Sequence, residues 1–320
     1  MSQFSSTTTS ANEKVVVVVG SLNTDLVVTL DTFPAAGETV LGSSFEQTVG
    51  GKGLNQAIAA ARLGSTVAMI GAIGQDQFGV ALAEMLDSED IESFVTKLPN
   101  SSTGMAIIEV ESSGENRIVV ISGANDLLTA ESVEASMREL SLHHRIGVVL
   151  TQGEIPVAAT ERALQVAKEL GAITILNPAP VRDFPRTVFQ FVDFLIPNEL
   201  EAQELCSLEG NSCESMLDFV EIATGLVELG VGTAIITRGE KGAVWSTANQ
   251  SGQAAAFRIV PVDTVAAGDS FCGGLATALN EGQPLSEALR WASAAGALAA
   301  TRKGAVSSIP HRTEVEDLLI

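Results

Sequence analysis

The stretch Lys14-Val-Val-Val-Val-Val-Gly-Ser-Leu-Asn-Thr-Asp25 sets five consecutive valines directly before a glycine and a polar segment. An unbroken apolar run of this kind is typical of a strand buried on both faces, because a half-exposed strand alternates apolar and polar residues. Five further short runs share this character, at residues 67–70, 148–150, 173–176, 194–196 and 234–236. The six runs predict a parallel sheet that is covered on both sides.

Helical patterns lie between these runs. Three of them end in the glycine that commonly follows the last turn of a helix, at residues 54–63 before Gly64, 157–170 before Gly171 and 214–229 before Gly230. Strands that alternate with helices in this way predict an α/β fold, with a doubly wound, mainly parallel sheet flanked by helices.

Two segments, about 26–48 and 103–121, depart from this rhythm, because apolar and polar residues alternate in them. We expect them to form a small antiparallel β lid that projects from the core, within one α/β domain of residues 14–320. The exposed edges of such a lid predict a homodimer in which two lids pair. Residues 1–13 contain many Ser and Thr and are expected to form a disordered tail.

Composition argues against several classes of partner. The chain of 320 residues carries a formal net charge of -21, so the basic surface that nucleic acid or an anionic membrane demands is not expected. No apolar run approaches the length of a membrane span. The odd count of three cysteines, without a signal peptide, predicts reduced thiols and a cytoplasmic location.

The stretch Val262-Asp-Thr-Val-Ala-Ala-Gly-Asp-Ser-Phe271 predicts an anion-binding turn at the start of a helix. The small residues Ala266, Ala267 and Gly268 let successive backbone N–H groups point at a phosphate or a developing oxyanion. Asp269 would then be placed to accept a proton from a hydroxyl that attacks phosphorus. The alternative is that Asp269 is only a first-turn acid, which the helix dipole favours.

Polar clusters also follow the predicted strands, where an open α/β sheet binds its ligands. Asn23 and Asp25 suit the vicinal hydroxyls of a polyol, although both residue types also favour plain turns. In Gly50-Gly-Lys-Gly-Leu-Asn-Gln-Ala57 the glycines permit close approach of a ligand, Lys52 supplies a positive donor, and Asn55 projects from the first helical turn.

Later strands carry three more such clusters. Glu154 follows the strand at 148–150, with a helix cap or first-turn acid as its alternative role. Asn198 and Glu201 lie three residues apart, so that the amide can meet a phosphate and the carboxylate can hold the water shell of Mg²⁺. Thr237 begins a glycine-containing turn suited to nucleotide phosphates, with a plain hairpin turn as the alternative. Phosphoryl transfer from a nucleotide to a hydroxyl explains all of these clusters together.

The motifs that carry these residues resemble those of the PfkB, or ribokinase, family of carbohydrate kinases. The resemblance runs from about Val15 to Pro310. Its specific parts are Gly50-Gly-Lys-Gly-x-Asn-Gln-Ala57, Asn177-Pro-Ala-Pro180, Pro197-Asn-Glu-x-Glu201, Val262-Asp-Thr-x-Ala-Ala-Gly-Asp269 and Thr301-Arg-Lys-Gly-Ala305. The chain departs from the family where Val265 replaces a common threonine and where Ser293 replaces a larger polar residue near the adenine.

This resemblance implies a ribokinase-like fold and ATP-dependent phosphorylation of D-ribose at O5, which gives ribose 5-phosphate. It implies that Asp269 is the catalytic base and that the backbone of Ala266, Ala267 and Gly268 binds the transferred phosphoryl group. The implied sugar contacts are Asn23, Asp25, Gly51, Lys52, Asn55, Glu154 and Asp269. The implied ATP contacts are Asn198, Thr237, Gly239, Gly242, Gly268 and Ser293. The implied metal positions are Glu201 for Mg²⁺, through water, and Asp263, Val265, Ala299, Arg302, Gly304 and Ser308 for a monovalent cation, usually K⁺, in several cases through carbonyls.

Two alternatives stay open. A related kinase of the family could act on deoxyribose, another sugar or a nucleoside, although Asn23 and Asp25 favour a polyol. A sugar-binding or regulatory protein could have kept the fold and lost catalysis, but the intact pair Gly268-Asp269 and the presence of Glu201 argue against that class.

Overall fold

The computed structural model describes residues 14–113, 115–208 and 218–320. The expected tail of residues 1–13 and the first four residues of the predicted helix 214–229 lie outside these described residues. The strands are β1 (Lys14–Val19), β2 (Asn23–Leu30), β3 (Gly42–Gly50), β4 (Thr66–Gly74), β5 (Glu92–Leu98), β6 (Gly104–Glu111), β7 (Asn116–Ile121), β8 (Arg145–Gln152), β9 (Ile173–Asn177), β10 (Phe194–Leu195), β11 (Thr233–Thr237), β12 (Ala243–Thr247) and β13 (Ser251–Ala254). The helices are α1 (Lys52–Arg62), α2 (Gln77–Ser88), α3 (Ala130–Leu140), α4 (Val157–Glu169), α5 (Glu199–Leu208), α6 (Phe219–Val227), α7 (Ala267–Asn280), α8 (Leu285–Ala299) and α9 (Arg312–Leu319).

One large sheet has the strand order β13-β12-β11-β10-β9-β8-β1-β4-β5. Its pairs are parallel from β5 across to β11, and β12 and β13 are added antiparallel. All six predicted strands lie in this sheet, which confirms the mainly parallel α/β fold. The chain runs from β1 outward to β4 and β5 and then returns to place β8 on the other side of β1. The strand order therefore reverses between β1 and β8, the point at which such sheets bind ligands.

Both faces of β1 are buried, as its five-valine run predicts. Val16 and Val18 pack in the cluster that contains α1 and α7, whereas Val15, Val17 and Val19 pack in the cluster that contains α3 and α4. Helices thus cover the sheet on both sides, which is the doubly wound arrangement.

The second sheet has the order β3-β2-β6-β7, and we call these four strands the lid. β2 pairs antiparallel with β3, and β6 pairs antiparallel with β7, but the central pair of β2 and β6 is parallel. This direction follows from the chain path, because β2 comes directly after β1 and β6 directly after β5, so both leave the carboxyl edge of the large sheet. The lid is therefore mixed at its centre and antiparallel at its two edges.

The helix ends follow the predicted glycines. Gly64, Gly171 and Gly230 have φ values of 101°, 73° and 114°, the left-handed conformation that ends helices. The predicted start of the third helix at residue 214 lies outside the described residues. α6 begins at Phe219, because the Asp218 side chain accepts a hydrogen bond from the Val220 N–H at 2.9 Å and caps the helix there.

The cysteines differ from the prediction of reduced thiols. Cys206 on α5 is disulfide-bonded, whereas Cys272 on α7 is a free, buried thiol. The odd count of three misled the prediction, since it is equally compatible with one pair beside one free thiol. Within the described ranges, none of the helices combines the length and hydropathy that crossing a membrane requires.

Candidate active site

The predicted anion-binding turn lies at the start of α7, with Asp269 in the first helical turn. Ala266 has a φ of 57°, a left-handed conformation that costs a residue with a Cβ about 1 to 2 kcal/mol. The N–H of Ala267 donates to the Thr264 carbonyl at 3.2 Å, whereas in the described part of the chain the N–H groups of Gly268 and Asp269 have no acceptor. The strained turn thus leaves backbone donors available beside a carboxylate.

Asp269 is held from both sides by α1. Asn55 Nδ2 donates to Asp269 Oδ2 at 3.0 Å, and Gln56 Nε2 donates to Asp269 Oδ1 at 2.9 Å. The two helices approach closely because Gly273 has no side chain: a Cβ there would lie 2.5 Å from the Cβ of Ala59. This contact, one turn beyond Asp269 on α7, is what brings the carboxylate within reach of α1.

A cavity of about 530 Å³ opens at the carboxyl edge of the large sheet. Its lining combines predicted site residues with others from the lid and from the loop after β9. The lining residues are Asn23, Lys52, Val120, Ser122, Asn125, Glu154, Ala179, Pro180, Arg182 and Glu201. Asp269 is not one of them, but its charge is the largest influence that raises the pKa of Lys52 in the lining.

Glu154 joins the elements that meet at this edge. Its Oε2 accepts a hydrogen bond from Ser21 Oγ at 2.5 Å and another from the Lys52 N–H at 3.0 Å. Ser21 follows β1, Lys52 begins α1 and Glu154 follows β8, so one carboxylate oxygen ties together the three segments at the reversal of strand order. Glu154 neither caps α4, whose N-cap is Pro156, nor lies in its first turn, so the alternative role is not found. It accepts instead from the first N–H of α1, and its Oε1 has no partner among the described residues.

Asn23 begins β2 and is 4 % exposed. Its Oδ1 accepts a hydrogen bond from Asn125 Nδ2 at 2.8 Å, and Asn125 also bonds to the backbone N–H and carbonyl of Leu22 at 3.0 and 3.1 Å. Because the oxygen of the Asn23 amide is occupied, its NH₂ group is left to donate to a ligand in the cavity.

Asp25, two residues further along β2, is half-buried. A Cβ at Gly50 would lie 2.3 Å from Asp25 Oδ2, so this glycine of β3 makes room for the carboxylate. Burial, followed by the charges of Glu154 and Asp269, raises the pKa of Asp25 to about 6. The structure thus concentrates carboxylates at the base of the lid, where the sequence predicted a polyol site.

Lys52 is the ammonium group among these carboxylates. The charge of Asp269 raises the pKa of Lys52 against the opposing effect of burial, and Glu154 and Glu201 add to the rise. Burial in turn raises the pKa of Glu201. Gly51, which precedes Lys52, caps α1 with a φ of 92°. A charged Lys52 in this place can neutralise an anion that enters the cavity.

Asn198 and Glu201 cap the start of α5 reciprocally. The Asn198 N–H donates to Glu201 Oε2 at 2.8 Å, and the Glu201 N–H donates to Asn198 Oδ1 at 2.9 Å. Thr237 forms a single parallel β-bridge with Asn198, so the two predicted nucleotide contacts are neighbours. These two caps use one oxygen of each side chain. The Asn198 NH₂ group and the second Glu201 oxygen are left available to a ligand.

The turn after Thr237 is a hairpin turn between β11 and β12, as the alternative supposed. Its two glycines, Gly239 and Gly242, have φ values of 53° and 81°, and the Arg238 N–H donates to the Gly242 carbonyl at 2.8 Å. Ser293 is half-buried on α8, which contacts β13 at the edge of the same hairpin sheet.

The candidate monovalent-cation residues lie on two segments that Asp263 joins. Asp263 Oδ1 accepts from the Val265 N–H at 3.1 Å, and Asp263 Oδ2 accepts from the Gly304 N–H at 3.0 Å. The Arg302 side chain is paired with Glu314, so only its backbone is available to an ion.

The remaining candidates of this set also offer backbone groups. Ala299 and Ser308 are fully buried, and Ser308 Oγ donates to the Ala305 carbonyl at 2.8 Å. Across the described ranges, no three His, Cys, Asp or Glu side chains are grouped in a way that would hold a metal ion. A cation here would therefore depend on carbonyl oxygens.

Several residues of this region escaped the sequence analysis. Gln56 belongs to the motif of residues 50–57, but the sequence predicts a site role for its neighbour Asn55 instead. Asn125, Gln152 and Arg182 carry no motif, and only the fold brings them to the site; Arg182 Nε donates to the Gly153 carbonyl at 2.7 Å beside Glu154. Position directly after a strand, as for Gln152 at the end of β8, was the one signal that could have found them.

Known proteins are similar to the chain over nearly its whole length. The model of the pfkB family of carbohydrate kinases matches residues 13–312. A ribokinase of Haemophilus influenzae is 38% identical over 307 residues, which cover 96% of this chain and 98% of the relative. A deoxyribokinase of Salmonella typhi is 33% identical over 306 residues, which cover 95% of this chain and 98% of the relative.

A solved structure is similar as well. The Arabidopsis thaliana ribokinase complexed with ribose and ATP has a TM-score of 0.84 and 31% identity, covering 96% of this chain and 99% of that one. The same edge of the sheet thus carries an acid at a helix start, a half-buried lysine and a cavity lined by polar side chains, in a chain whose residues 13–312 match one family. The protein belongs to the pfkB family of carbohydrate kinases.

Proposed function

We propose that the protein transfers the γ-phosphoryl group of ATP to O5 of D-ribose, which gives ribose 5-phosphate and ADP. One observation carries the proposal: the Asp269 carboxylate is fixed by Asn55 and Gln56 beside backbone N–H groups that have no acceptor in the described chain. A base next to anion donors is what transfer of a phosphoryl group to a hydroxyl requires. Similarity to ribokinases, one of them solved with ribose and ATP, supports the choice of substrates.

In this mechanism Asp269 orients the sugar hydroxyl and accepts its proton as the bond to phosphorus forms. A carboxylate is a weak base for an alcohol, so its position contributes more than its basicity. The N–H groups of Gly268 and Asp269 stabilise charge on the transferred group, and in comparable anion holes each such donor contributes about 3 to 4 kcal/mol. Ala266 and Ala267 shape the turn, since the Ala267 N–H is occupied by Thr264.

Ribose would lie in the cavity at the base of the lid. Asn23 would donate its amide NH₂ to a sugar hydroxyl, while Asp25 and the open Oε1 of Glu154 would accept hydrogen bonds from others. Lys52 would lie between the sugar and the incoming phosphate, which the influence of Asp269, Glu154 and Glu201 on its pKa supports. Gly51 and Asn55 complete this set, Gly51 by close backbone approach and Asn55 through its hydrogen bond to Asp269.

ATP would bind along the strands that follow, with Asn198, Gly268 and Ser293 and with the hairpin residues Thr237, Gly239 and Gly242. The neighbouring positions of Asn198 and Thr237 support this assignment. Glu201 is a suitable carboxylate for Mg²⁺ held through water, because one of its oxygens is not used in the cap. Mg²⁺, when bound, neutralises phosphate charge.

A monovalent cation, K⁺ in the proposal, would bind beside the anion turn. Its ligands are proposed among the six residues Asp263, Val265, Ala299, Arg302, Gly304 and Ser308. The hydrogen bond from Gly304 to Asp263 brings the two segments together, which supports the fit. The ion, when bound, supplies a fixed positive charge next to the phosphate site.

We further propose a homodimer that forms through the lid, and a cytoplasmic location for a single domain of residues 14–320. The exposed apolar side chains of the lid's edge strand β7 support the dimer. The use of ATP supports the location, which no longer has the support of three reduced thiols.

The experiment is a coupled ADP assay with ribose, 2-deoxyribose, fructose and adenosine, run with Mg²⁺ and with or without K⁺. We expect the highest kcat/KM for ribose and a loss of rate without K⁺. 2-Deoxyribose is the second candidate, because a deoxyribokinase is among the similar proteins. Preference for a nucleoside would overturn the sugar assignment, and ribose binding without ADP release would favour a protein that has lost catalysis.

A further inference from the structure

Three amide side chains form a hydrogen-bonded chain that ends on Asp269, and we call Gln56, Gln152 and Asn177 the amide relay. Gln152 Nε2 donates to Gln56 Oε1 at 2.7 Å. Gln56 Nε2 then donates to Asp269 Oδ1 at 2.9 Å and to Asn177 Oδ1 at 3.1 Å. Gln56 and Gln152 are fully buried, so water does not compete for these bonds.

The neighbours of Gln56 leave its amide one orientation. Asn177 Nδ2 donates to the Ile196 carbonyl at 2.8 Å, so Asn177 turns its oxygen towards Gln56. Gln152 offers an NH₂ group, which only the oxygen of Gln56 can accept. The NH₂ group of Gln56 must therefore face Asp269, since a rotated amide would set two oxygen atoms against each other there.

The relay is anchored in the large sheet. Gln152 and Asn177 are the last residues of β8 and β9, and they lie opposite each other in the parallel register of that pair. Gln56, on α1, is thus held from strand ends that the ladder of backbone hydrogen bonds fixes. The relay connects the rigid sheet to the carboxylate on α7.

The protein retains this relay at a cost in stability. Gln152 Oε1 is buried and has no partner in the described chain, and a buried oxygen in that state is destabilising. The backbone also makes room for it, because a Cβ on Gly20 would lie 2.0 Å from Gln152 Oε1. An apolar side chain at residue 152 would avoid the unpaired oxygen but could not donate a hydrogen bond to Gln56. This indicates that the NH₂ group of Gln152 is retained in order to orient the Gln56 amide.

We propose that Gln56 is a positioning residue for the phosphoryl transfer, and that Gln152 and Asn177 act on the reaction only through it. Gln56 holds Oδ1 of Asp269 while Asn55 holds Oδ2, so the carboxylate cannot rotate away from the attacking hydroxyl. The inference rests on the proposed role of Asp269 as the base. It adds the buried Gln56 and Gln152 and the half-buried Asn177 as residues that set the geometry of that base.

The test is a double-mutant cycle of Gln56→Met, Gln152→Met and the double variant. Met has the length of Gln but no donor, so it removes the bonds with little change in volume. We expect Gln56→Met to lower kcat by about 10- to 100-fold, with the KM for ribose changed less than about threefold, and Gln152→Met to lower kcat by about 3- to 10-fold. The double variant should be no slower than Gln56→Met alone, because Gln152 then has nothing to orient.

The control is Asn280→Leu, at the opposite end of α7, which removes the hydrogen bond from Asn280 Nδ2 to the Lys14 carbonyl. It should lower thermal stability and leave kcat unchanged. If the two Met substitutions multiply in kcat, or change kcat no more than Asn280→Leu does, the relay has only a structural role and the proposal is wrong.

A second measurement does not depend on the proposed activity. The ¹³C resonance of the Asp269 carboxylate, followed by NMR in the protein without substrate, should move in Gln56→Met and by a smaller amount in Gln152→Met, but not in Asn280→Leu. Wild-type protein that releases no ADP would refute the proposed function, while the NMR result would still decide whether the relay acts on Asp269. An unchanged resonance in Gln56→Met would overturn the relay even in an active kinase.

Discussion

The surroundings of Asp269 and the lid are built in opposite ways. Gln56 and Asp269 are 0 and 7 % exposed, and both oxygens of the carboxylate have donors. On β7 of the lid, Ile118 and Val119 are 55 and 61 % exposed, and the strand has a neighbour on one side only. The proposed base therefore lies where packing restricts its motion, whereas apolar surface is left on the element that a ligand or a second subunit can cover.

The largest effect is expected on the buried side, for Asp269→Asn. The amide cannot take the hydroxyl proton, and its NH₂ group would face a donor from α1, so kcat with ribose should fall by about 10² to 10⁴-fold. The KM for ribose should change much less. The coupled ADP assay measures both, and turnover close to that of the wild type would remove Asp269 from the chemistry and with it the contrast between the two regions.

The ionised carboxylate of Asp25, at the base of the lid, should lower the free energy of unfolding at neutral pH. Burial raises its pKa from 3.8 to about 6, so the native state binds its proton more tightly than the unfolded chain does. The stability that this group contributes is therefore fully present below about pH 4 and is lost as the pH rises through about 6.

Asp25→Asn should accordingly raise the free energy of unfolding at pH 8 by about 1 to 3 kcal/mol and leave it nearly unchanged at pH 4. Urea unfolding of both proteins across this range measures the difference. The variant should also bind ribose more weakly, since a carboxylate acceptor is lost. A stability difference that stays constant with pH would show that the charge of Asp25 is not its source.

Asn125 links the two regions, because it comes from the segment after the lid and orients Asn23 in the cavity. Asn125→Leu should raise the KM for ribose by about tenfold and alter kcat less, since the base on α7 is untouched. Asn280→Leu again serves as the control for a lost buried amide. A fall in kcat with an unchanged KM would mean that the lid and the base are coupled more tightly than the comparison supposes.

The smallest effect on turnover is expected at the lid edge. Val119→Lys places a charge on β7 and should convert a homodimer into a monomer, with kcat within about threefold of the wild type. Light scattering at micromolar concentration measures the mass. Leu142→Lys is the matched control, because Leu142 is 78 % exposed outside the lid and its substitution should leave the mass unchanged. A wild-type monomer would contradict the proposed assembly.

The large sheet could be predicted because its strands are buried on both faces, which leaves a continuous apolar run such as 15–19 in the sequence. The parallel centre of the lid could not, since alternation of side chains reports one buried face but not the direction of the neighbouring strand. The start of α6 at Phe219 depends on a single cap by Asp218, which periodicity does not reveal.

Candidate site residues could be predicted from the sequence where they belong to one local motif. Asp269 follows three small residues at a helix start, so its motif is contiguous and can be recognised in the sequence. Gln152 and Asn125 reach the site from distant parts of the chain, and an isolated amide in the sequence carries no mark of what the fold will place beside it. The network that holds Asp269 could therefore not be predicted from the sequence, whereas the helix-start motif that contains Asp269 could.

The short connection between β1 and β2 has a consequence for hydrolysis of the nucleotide when no sugar is bound. Asn23 and Asp25 belong to the lid strand itself and begin only four residues after β1 ends, while Asp269 belongs to α7. Movement of the lid away from the large sheet would carry these two proposed sugar contacts away from Asp269, so in the proposed mechanism the acceptor site is complete only when the lid lies over it. Water has no array of hydroxyls that could hold the lid down, and the nucleotide would thereby be protected from hydrolysis when sugar is absent.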